Sequence, residues 1–300
     1  MANNPLNQDG PLPGKKQQVK KTPPLIEPEP EQELELEQEL EQEQELEQEQ
    51  DERISIVIPY KNIGDDDELR LALRSIEKNA QFNYQVVILG DAPQWINPEK
   101  VQVFNIGFVP SPVNPKAFNV IDKMRNACQN KLIDDLMLMT YDDIIFLNPV
   151  TKEDITEVIA NGLIPEDPKH PWTASAVWVG IMLDTLAALK RNKMSTYNCE
   201  THLPRLFEKE KLAALFEKFG FKKRAYCFPT LYYNEYFTEM RCLDTEPKNT
   251  KVGLYFNDDY ANKVADFDTH LFLNWSQNQW TEELKEKLFE LFPEKSQFEI

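Results

Sequence analysis

The feature that most constrains this chain is a regular alternation of strand-like and helix-like segments that begins at Ile54. The strand-like segments are short runs of β-branched and other apolar residues, and the segments between them repeat apolar residues at helical spacing. The runs read ISIVIPY, YQVVILG, VQVFNI and LMLM. Strands and helices that alternate in this way predict an α/β fold, in which helices flank both faces of a mostly parallel sheet.

Two helices are predicted between these strands. The first follows acidic N-cap candidates at Asp65 to Asp67 and places Leu69, Leu73 and Ile76 on one face. The second, AFNVIDKMRNACQNK, has an apolar face of the same kind. Ligands of such folds bind at the carboxyl ends of the strands, so the residues that follow each strand are the first candidates for a site.

Beyond the fourth strand, the pattern predicts further elements that add walls to the same site. Thr151 and Asp154 form a candidate capping box for a short helix that ends near Gly162. Helices are also predicted around residues 181–193, 208–219 and 281–292, and a strand at VGLYF, while TLYYNEYF is an aromatic segment without an assigned structure. We therefore expect a single domain from residue 53 to residue 300.

Residues 1–52 differ sharply in composition from the rest of the chain. They contain 4 Lys and 15 Asp or Glu, most of the acids lying in the tract EPEPEQELELEQELEQEQELEQEQ, and almost no aromatic or β-branched residues. Such a segment cannot bury enough apolar surface to offset the entropy cost of ordering, so we predict a disordered acidic tail. Its charge offers a surface for a protein partner.

Charge and cysteine spacing disfavour several classes of function. The chain has 33 Lys and Arg against 51 Asp and Glu, a formal net charge of −18, whereas proteins bind long nucleic acid through clustered basic residues. No run approaches the roughly 20 apolar residues that span a bilayer. The 4 cysteines show no C-x-x-C spacing, which argues against a zinc site and a disulfide scaffold. We therefore expect a cytoplasmic protein with reduced thiols, no membrane span and no nucleic-acid partner.

Two adjacent carboxylates, Asp142 and Asp143, follow the fourth predicted strand and interrupt the apolar stretch MLMTYDDIIFLNP. They have two interpretations. They can cap a turn, or they can bind Mg²⁺ or Mn²⁺, hard cations that take oxygen ligands and share them with a bound diphosphate. The segment FNDDYAN, with Asn257, Asp258 and Asp259, follows the strand VGLYF in the same way, and two such pairs in one chain make the cation interpretation harder to dismiss.

Other candidates are a histidine and three arginines. His202, in THLPRLFEKEKL, precedes a predicted helix, where it can act as a base, bind phosphate or cap a turn. Arg70, Arg74 and Arg205 are candidate phosphate partners, because a planar guanidinium suits bidentate contact. The motifs G-x-x-x-x-G-K, G-x-G-x-x-G and G-x-S-x-G do not occur, which disfavours P-loop proteins, Rossmann dehydrogenases and α/β-hydrolases.

The segment DELRLALRSIEKNAQFNYQVVILGDAPQWIN resembles the signature block of the Stealth proteins. In that family an E-L-R-containing helix leads into a strand and then a P-x-W segment, as Glu68 to Lys78 and Pro93 to Ile96 do here. TYDDIIFLNP, THLPRLFEKEKL and FNDDYAN look like three later blocks of the family. The four blocks occur in the family's order between Ile54 and Asn262, and the tail takes no part in the match.

This resemblance implies a glycosyltransferase-A-like fold and a sugar-1-phosphate transferase. It implies that Asp142 and Asp143 bind a divalent cation and that His202 is a functional histidine. Asn257 and Asp258 would line the same cleft. The substrates would be a nucleotide sugar donor and a glycan or another hydroxyl acceptor.

Two alternatives stay open at this point. The opening strand, IVIPYKN, looks more like that of ordinary inverting glycosyltransferases, so transfer of a sugar competes with transfer of a sugar-1-phosphate. A protein of another class is also compatible with the sequence: a catalytically inactive relative with a binding or structural role in a larger assembly. Hydrolysis of a donor in the presence of Mn²⁺ would discriminate between enzyme and inactive relative.

Overall fold

A computed structural model describes residues 52–62, 64, 66–108, 115–166, 176–221, 224–243, 250–255 and 260–300. All of them belong to the unit Gln50–Ile300. Residues 1–51, nearly all of the predicted acidic tail, lie outside the described residues. So do Asn257 and Asp258, two of the predicted site residues.

A five-stranded sheet organises this unit, with the strand order β3-β2-β1-β4-β7. Neighbouring strands are parallel except β7, which runs antiparallel to β4. Two smaller sheets have the orders β5-β10-β9 and β6-β8. The strands are β1 Ile54–Tyr60, β2 Tyr84–Gly90, β3 Val101–Phe104, β4 Leu136–Met139, β5 Ile144–Phe146, β6 Ile159–Ala160, β7 Arg205–Glu208, β8 Arg241–Cys242, β9 Lys251–Leu254 and β10 Phe272–Trp275.

Helices pack on both faces of the five-stranded sheet. Side chains of a strand alternate between faces, and β1 shows this directly: Ile56 and Ile58 pack in one apolar cluster with the first helix, while Val57 packs in another with the second. The helices are α1 Asp67–Asn79, α2 Pro115–Gln129, α3 Lys152–Thr156, α4 Ala176–Arg191, α5 Lys209–Phe219, α6 Phe228–Tyr236, α7 Tyr260–Lys263 and α8 Glu282–Leu291, with short 3₁₀ helices at Val264–Asp268 and Gln277–Gln279.

Buried polar side chains tie α1 to the small sheet that contains β5. Ser75 Oγ accepts a hydrogen bond from the backbone N–H of Phe146 at 3.0 Å, and Asn79 Nδ2 donates to the carbonyl of the same residue at 2.6 Å. Both side chains are buried, so these bonds satisfy groups that would otherwise be costly to bury. They fix the end of β5, the strand that follows the turn after β4.

The predicted α/β class, with a mostly parallel sheet flanked by helices, is confirmed. The capping box at Thr151 and Asp154 is also present, but the helix that it begins ends at Thr156 and does not continue to Gly162. The reason is that residues 159–160 pair with β8 as a strand. The aromatic segment without an assigned structure is helix α6. In the part of the chain that the structure describes, no helix combines the length and the apolar character needed to cross a bilayer.

Candidate functional site

Three parallel strands end at one edge of the main sheet: β1 at Tyr60, β2 at Gly90 and β4 at Met139. We call this the carboxyl edge. The strand order reverses between β1 and β4, which is the position where open α/β sheets bind ligands. The antiparallel β7 begins at the same edge, because its first residue, Arg205, pairs with Met139. The segment entering β7 therefore lies beside the segment leaving β4, and His202 belongs to the first as Asp142 and Asp143 belong to the second.

Asp142 and Asp143 occupy the turn between β4 and β5 and are partly buried. Burial raises the pKa of Asp142 above its ordinary range, against the opposing effect of Lys116 and Lys123. Burial also raises the pKa of Asp143, to about 7, and the negative charges of Asp142 and Glu68 add to the shift. Ionising both carboxyl groups therefore places negative charge in this turn that Lys116 and Lys123 do not fully compensate.

A buried lysine lies beneath this edge. Lys123, from α2, is 8% exposed and donates a hydrogen bond from Nζ to the carbonyl of Tyr60, the last residue of β1. Burial lowers its pKa, whereas Asp91 and Asp142 oppose that shift. Gly90 makes room for this contact, because a Cβ there would overlap both the Tyr60 carbonyl and Lys123 Nζ, and its φ of 136° suits glycine.

His202 has a left-handed backbone, with a φ of 50°, and its side chain keeps an exposed face. Its ring centroid lies 6.5 Å from that of Tyr141, the residue before Asp142. Neighbouring groups partly desolvate the exposed ring, and this lowers the pKa of His202 to about 4; Glu200 opposes the shift, and Arg205, Lys251 and Lys116 add to it. At neutral pH the imidazole is therefore uncharged.

A buried ion pair lies directly behind His202. Arg205 Nη2 contacts Glu200 Oε1 at 2.6 Å, and Arg205 Nε donates to the carbonyl of Cys199 at 3.2 Å. The Cys227 thiol donates to the other oxygen of Glu200 at 3.0 Å. Burial would raise the pKa of Glu200, but Arg205, His202 and Cys227 together lower it, so the carboxylate stays charged.

The structure places the other two predicted phosphate partners elsewhere. Arg70 and Arg74, on α1, both contact the buried carboxylate of Glu299, at 2.5 and 2.7 Å. The Arg70 guanidinium also stacks on the ring of Trp95, 4.2 Å from its centroid. A phosphate would have to compete with Glu299 for these two arginines. Their assignment as substrate-binding residues stays a prediction that this arrangement does not support.

Sequence reasoning missed several charged residues at the carboxyl edge. Glu200 lies two residues before His202 in CETHLPR, so a carboxylate, a histidine and an arginine within six residues were a usable signal. Lys251, Lys123 and Lys116 gave none, because a lysine in an otherwise ordinary strand or helix is usually a surface residue. Only the contacts with the site single them out.

The acid pair suits a cation that it shares with a bound ligand. It suits less well a cation that only protein side chains coordinate. Across the described residues, no three or more His, Cys, Asp or Glu side chains group closely enough to hold a metal ion. Mg²⁺ typically takes one or two carboxylates and completes its shell with substrate phosphates and water. The oxygen donors and the uncompensated charge of Asp142 and Asp143 suit that kind of binding.

No protein-family model matches the sequence, and no curated protein matches it. Among solved structures, the chain is similar to the apo form of the glycosyltransferase GlyE of Streptococcus pneumoniae TIGR4, with 13% identity, a TM-score of 0.39, and 80% of this chain and 60% of that one covered. It is also similar to the galactosyltransferase LgtC in complex with donor and acceptor sugar analogs, with 9% identity, a TM-score of 0.47, and 81% of this chain and 98% of that one covered. A third similar structure is the apo form of WbbM, a bifunctional glycosyltransferase, with 12% identity, a TM-score of 0.42, and 82% of this chain and 50% of that one covered. The chain thus spans less than two thirds of GlyE and half of WbbM.

Proposed function

We propose that the protein is a transferase that uses a nucleotide sugar and moves a sugar, or a sugar-1-phosphate, to a hydroxyl group of a glycan or another acceptor. The observation that carries the proposal is the meeting of two unlike groups at the carboxyl edge. One is the acid pair Asp142 and Asp143, with excess negative charge; the other is the uncharged His202, with Arg205 and Lys251 behind it. An anionic donor with a polar acceptor needs both kinds of partner.

The acid pair would hold a divalent cation against the donor diphosphate. Such a cation, when bound, neutralises charge that develops on the leaving phosphate. Ionised Asp142 and Asp143 would supply its protein ligands, and a bound cation would offset the burial and the repulsion that raise the pKa of Asp143. Donor binding is therefore expected to depend on the cation. Below pH 7, where Asp143 takes up a proton, this cation-dependent binding should become weaker.

His202 would contact the transferred phosphate or the acceptor hydroxyl. A histidine with a pKa of about 4 is a weak base, but its neutral ring can donate one hydrogen bond and accept another. Phosphate charge beside the ring favours the imidazolium, so donor binding raises the pKa of His202 and makes it a better proton acceptor. The residue acts at the step where the acceptor hydroxyl loses its proton.

The nucleotide product distinguishes the two reactions. Attack on the anomeric carbon releases a nucleoside diphosphate, whereas attack on the sugar-linked phosphorus releases a nucleoside monophosphate. We expect the monophosphate, and we expect His202→Ala to lower turnover strongly while donor affinity changes little. Because residue 202 is left-handed, His202→Asn removes the imidazole with less backbone strain and serves as the second variant. A diphosphate product with both variants fully active would contradict transfer at phosphorus.

Asp143→Asn tests the cation. The substitution keeps the volume and removes one charged ligand, so it should abolish the Mn²⁺-dependent part of donor binding in a thermal-shift titration and leave folding intact. Asp135→Asn is the matched control, because Asp135 precedes β4 at the opposite edge and its side chain is 87% exposed. If Asp143→Asn binds donor like the wild type, the acid pair only caps its turn.

The second candidate is a catalytically inactive relative that binds a partner. The observation in its favour is that Arg70 and Arg74 are held by Glu299, which leaves the proposed donor site with fewer arginines than the sequence predicts. Donor hydrolysis with Mn²⁺ separates the two candidates. Nucleotide-sugar binding without any turnover would favour the inactive relative.

A further inference from the structure

Strand β9 and the residue that follows it place Lys251, Gly253 and Tyr255 close together, next to the segment that carries His202. Lys251, Gly253 and Tyr255 alternate along the chain, and alternate residues of a strand share a face. A Cβ at Gly253 would overlap the ring of Tyr255. The glycine therefore lets the tyrosine ring lie back over the strand, toward Lys251, whose Nζ is 5.6 Å from the ring centroid.

A chain of hydrogen bonds runs from the small sheet to the segment before β7. Tyr255 Oη donates to Asn274 Oδ1 at 2.9 Å, and Asn274, on β10, is 1% exposed. Lys251 Nζ donates to Tyr255 Oη at 3.1 Å and to the carbonyl of Thr201. Thr201 is also buried, so this ammonium contacts the backbone immediately before His202 from a fixed position.

The backbone at His202 needs such a support. A left-handed conformation is unfavourable for a residue other than glycine, and it persists only where neighbouring contacts hold it. The carbonyl that precedes this strained residue is the one that Lys251 binds. We propose that Lys251 is a positioning residue, held by Tyr255, that fixes the Thr201 carbonyl and so orients His202 toward the acid pair. The inference rests on the proposed function of His202.

Charge gives the proposal a readout that a merely structural lysine would not have. The groups that act on His202 are Glu200, Arg205, Lys251 and Lys116, and the ring of Tyr141 lies beside it. Of the three cations, Arg205 bonds to Cys199 and Glu200, whereas Lys251 bonds to Thr201, the residue immediately before His202. Desolvation is the main cause of the low pKa of His202, and the positive charge of Lys251 adds to it. Removal of Lys251 takes away that charge and frees the backbone, so the pKa of His202 rises above about 4.

The test uses the full chain and four variants. Lys251→Met removes charge and hydrogen bonds, Lys251→Arg keeps both, and Tyr255→Phe keeps the charge but breaks the link to Asn274. Lys209→Met is the matched control, because Lys209 is also mostly buried and donates to a carbonyl, that of Ile133 at 2.6 Å, at the opposite edge of the sheet. Imidazole ¹⁵N NMR titration follows His202 directly, since the chain has only 3 histidines.

We expect Lys251→Met to raise the pKa of His202 and to lower kcat roughly 10-fold to 100-fold with little change in the KM for donor. Lys251→Arg should restore both properties. Tyr255→Phe should lower kcat with a smaller change in pKa, and it tests the support even if Lys251→Met fails to fold. An unchanged pKa and kcat in Lys251→Met would overturn the proposal, as would equal effects of Lys209→Met. If the wild type transfers nothing, the proposed function fails, while the NMR titration still decides whether Lys251 supports His202.

Discussion

Two buried clusters in this molecule are built from the same residue types and differ in how completely they are bonded. In the Glu299 cluster, Arg70 and Arg74 contact Glu299, whose side chain is fully buried. Glu299 also accepts from the N–H of Ser296 at 3.0 Å, and Arg74 donates further to the carbonyl of Phe292 at 3.0 Å. This cluster ties α1 to the last residues of the chain.

The Glu200 cluster consists of Glu200, Arg205 and Cys227 and lies at the carboxyl edge. The Arg205 side chain is only 3% exposed, yet its Nη1 has no hydrogen-bond partner among the described residues. A buried, unsatisfied donor costs stability, and native structures keep few of them. The Glu299 cluster is therefore organised for stability. The Glu200 cluster gives up some stability beside the candidate site, as functional sites often do.

The largest expected effect is on folding and comes from Glu299→Ala. The substitution leaves two arginines without their buried carboxylate, so we expect a loss of about 3–5 kcal/mol in the free energy of unfolding, measured by urea denaturation. Turnover per folded molecule should not change. Asp184→Ala is the control: it breaks the exposed pair with Arg224 and should cost below about 1 kcal/mol. Equal losses in the two variants would remove the distinction between this cluster and a surface ion pair.

The sequence predicted much of the fold because strand and helix periodicity is local. It also predicted that Asp142 and Asp143 follow a strand, since the apolar run before them is short and uninterrupted. It could not predict the partner of Arg74, because Glu299 lies 225 residues away. A helix with arginines four residues apart looks the same whether they bind phosphate or a distant carboxylate. Long-range pairing of charges is what local patterns do not encode.

The second prediction concerns pH and the opposite shifts of two carboxyl groups. Burial alone would raise the pKa of Glu299, but Arg74, Ser296 and Arg70 lower it to about 2. Between pH 4.5 and 2 the unfolded chain binds more protons, so the contribution of Glu299, roughly 3 kcal/mol, is complete above pH 4.5 and is lost as pH falls. Glu299→Gln should flatten this acid limb in urea denaturation between pH 3 and 5.5.

Asp143 should show the opposite sign. Its folded pKa of about 7 lies above the ordinary 3.8, so the folded chain binds more protons between these values and stability falls as pH rises through them. Asp143→Asn, without divalent cations, should therefore be more stable than the wild type at pH 8 and equal to it near pH 4. If the free energy of unfolding changes with pH by the same amount in the wild type and in Asp143→Asn, the pKa of Asp143 is not raised in the folded chain.

The third prediction is that changes in the Glu200 cluster lower activity, whereas changes in the Glu299 cluster lower stability. The double variant Glu200→Gln/Arg205→Met removes both charges together, which is often nearly neutral for stability. We expect the free energy of unfolding to stay within about 2 kcal/mol of wild type and kcat to fall about 10-fold, a cost of about 1.4 kcal/mol. The matched double variant, Arg74→Met/Glu299→Met, should keep kcat per folded molecule. If it loses activity equally, the two clusters do not divide stability and function between them.

The smallest expected effect is that of deleting residues 1–50. All the residues that form the two clusters fall within positions 70–299 of the chain, outside the deleted segment. The deleted segment is rich in Glu, Gln and Pro, with almost no aromatic or β-branched residues. A segment of this composition offers little apolar surface to bury, so its removal should change the free energy of unfolding by less than about 0.5 kcal/mol. Urea denaturation of the truncated and full chains measures this, with Glu299→Ala made in both. A loss of several degrees in Tm, or a smaller effect of Glu299→Ala in the truncated chain, would mean that the acidic segment contributes to the folded unit. The comparison between the clusters would then have to include it.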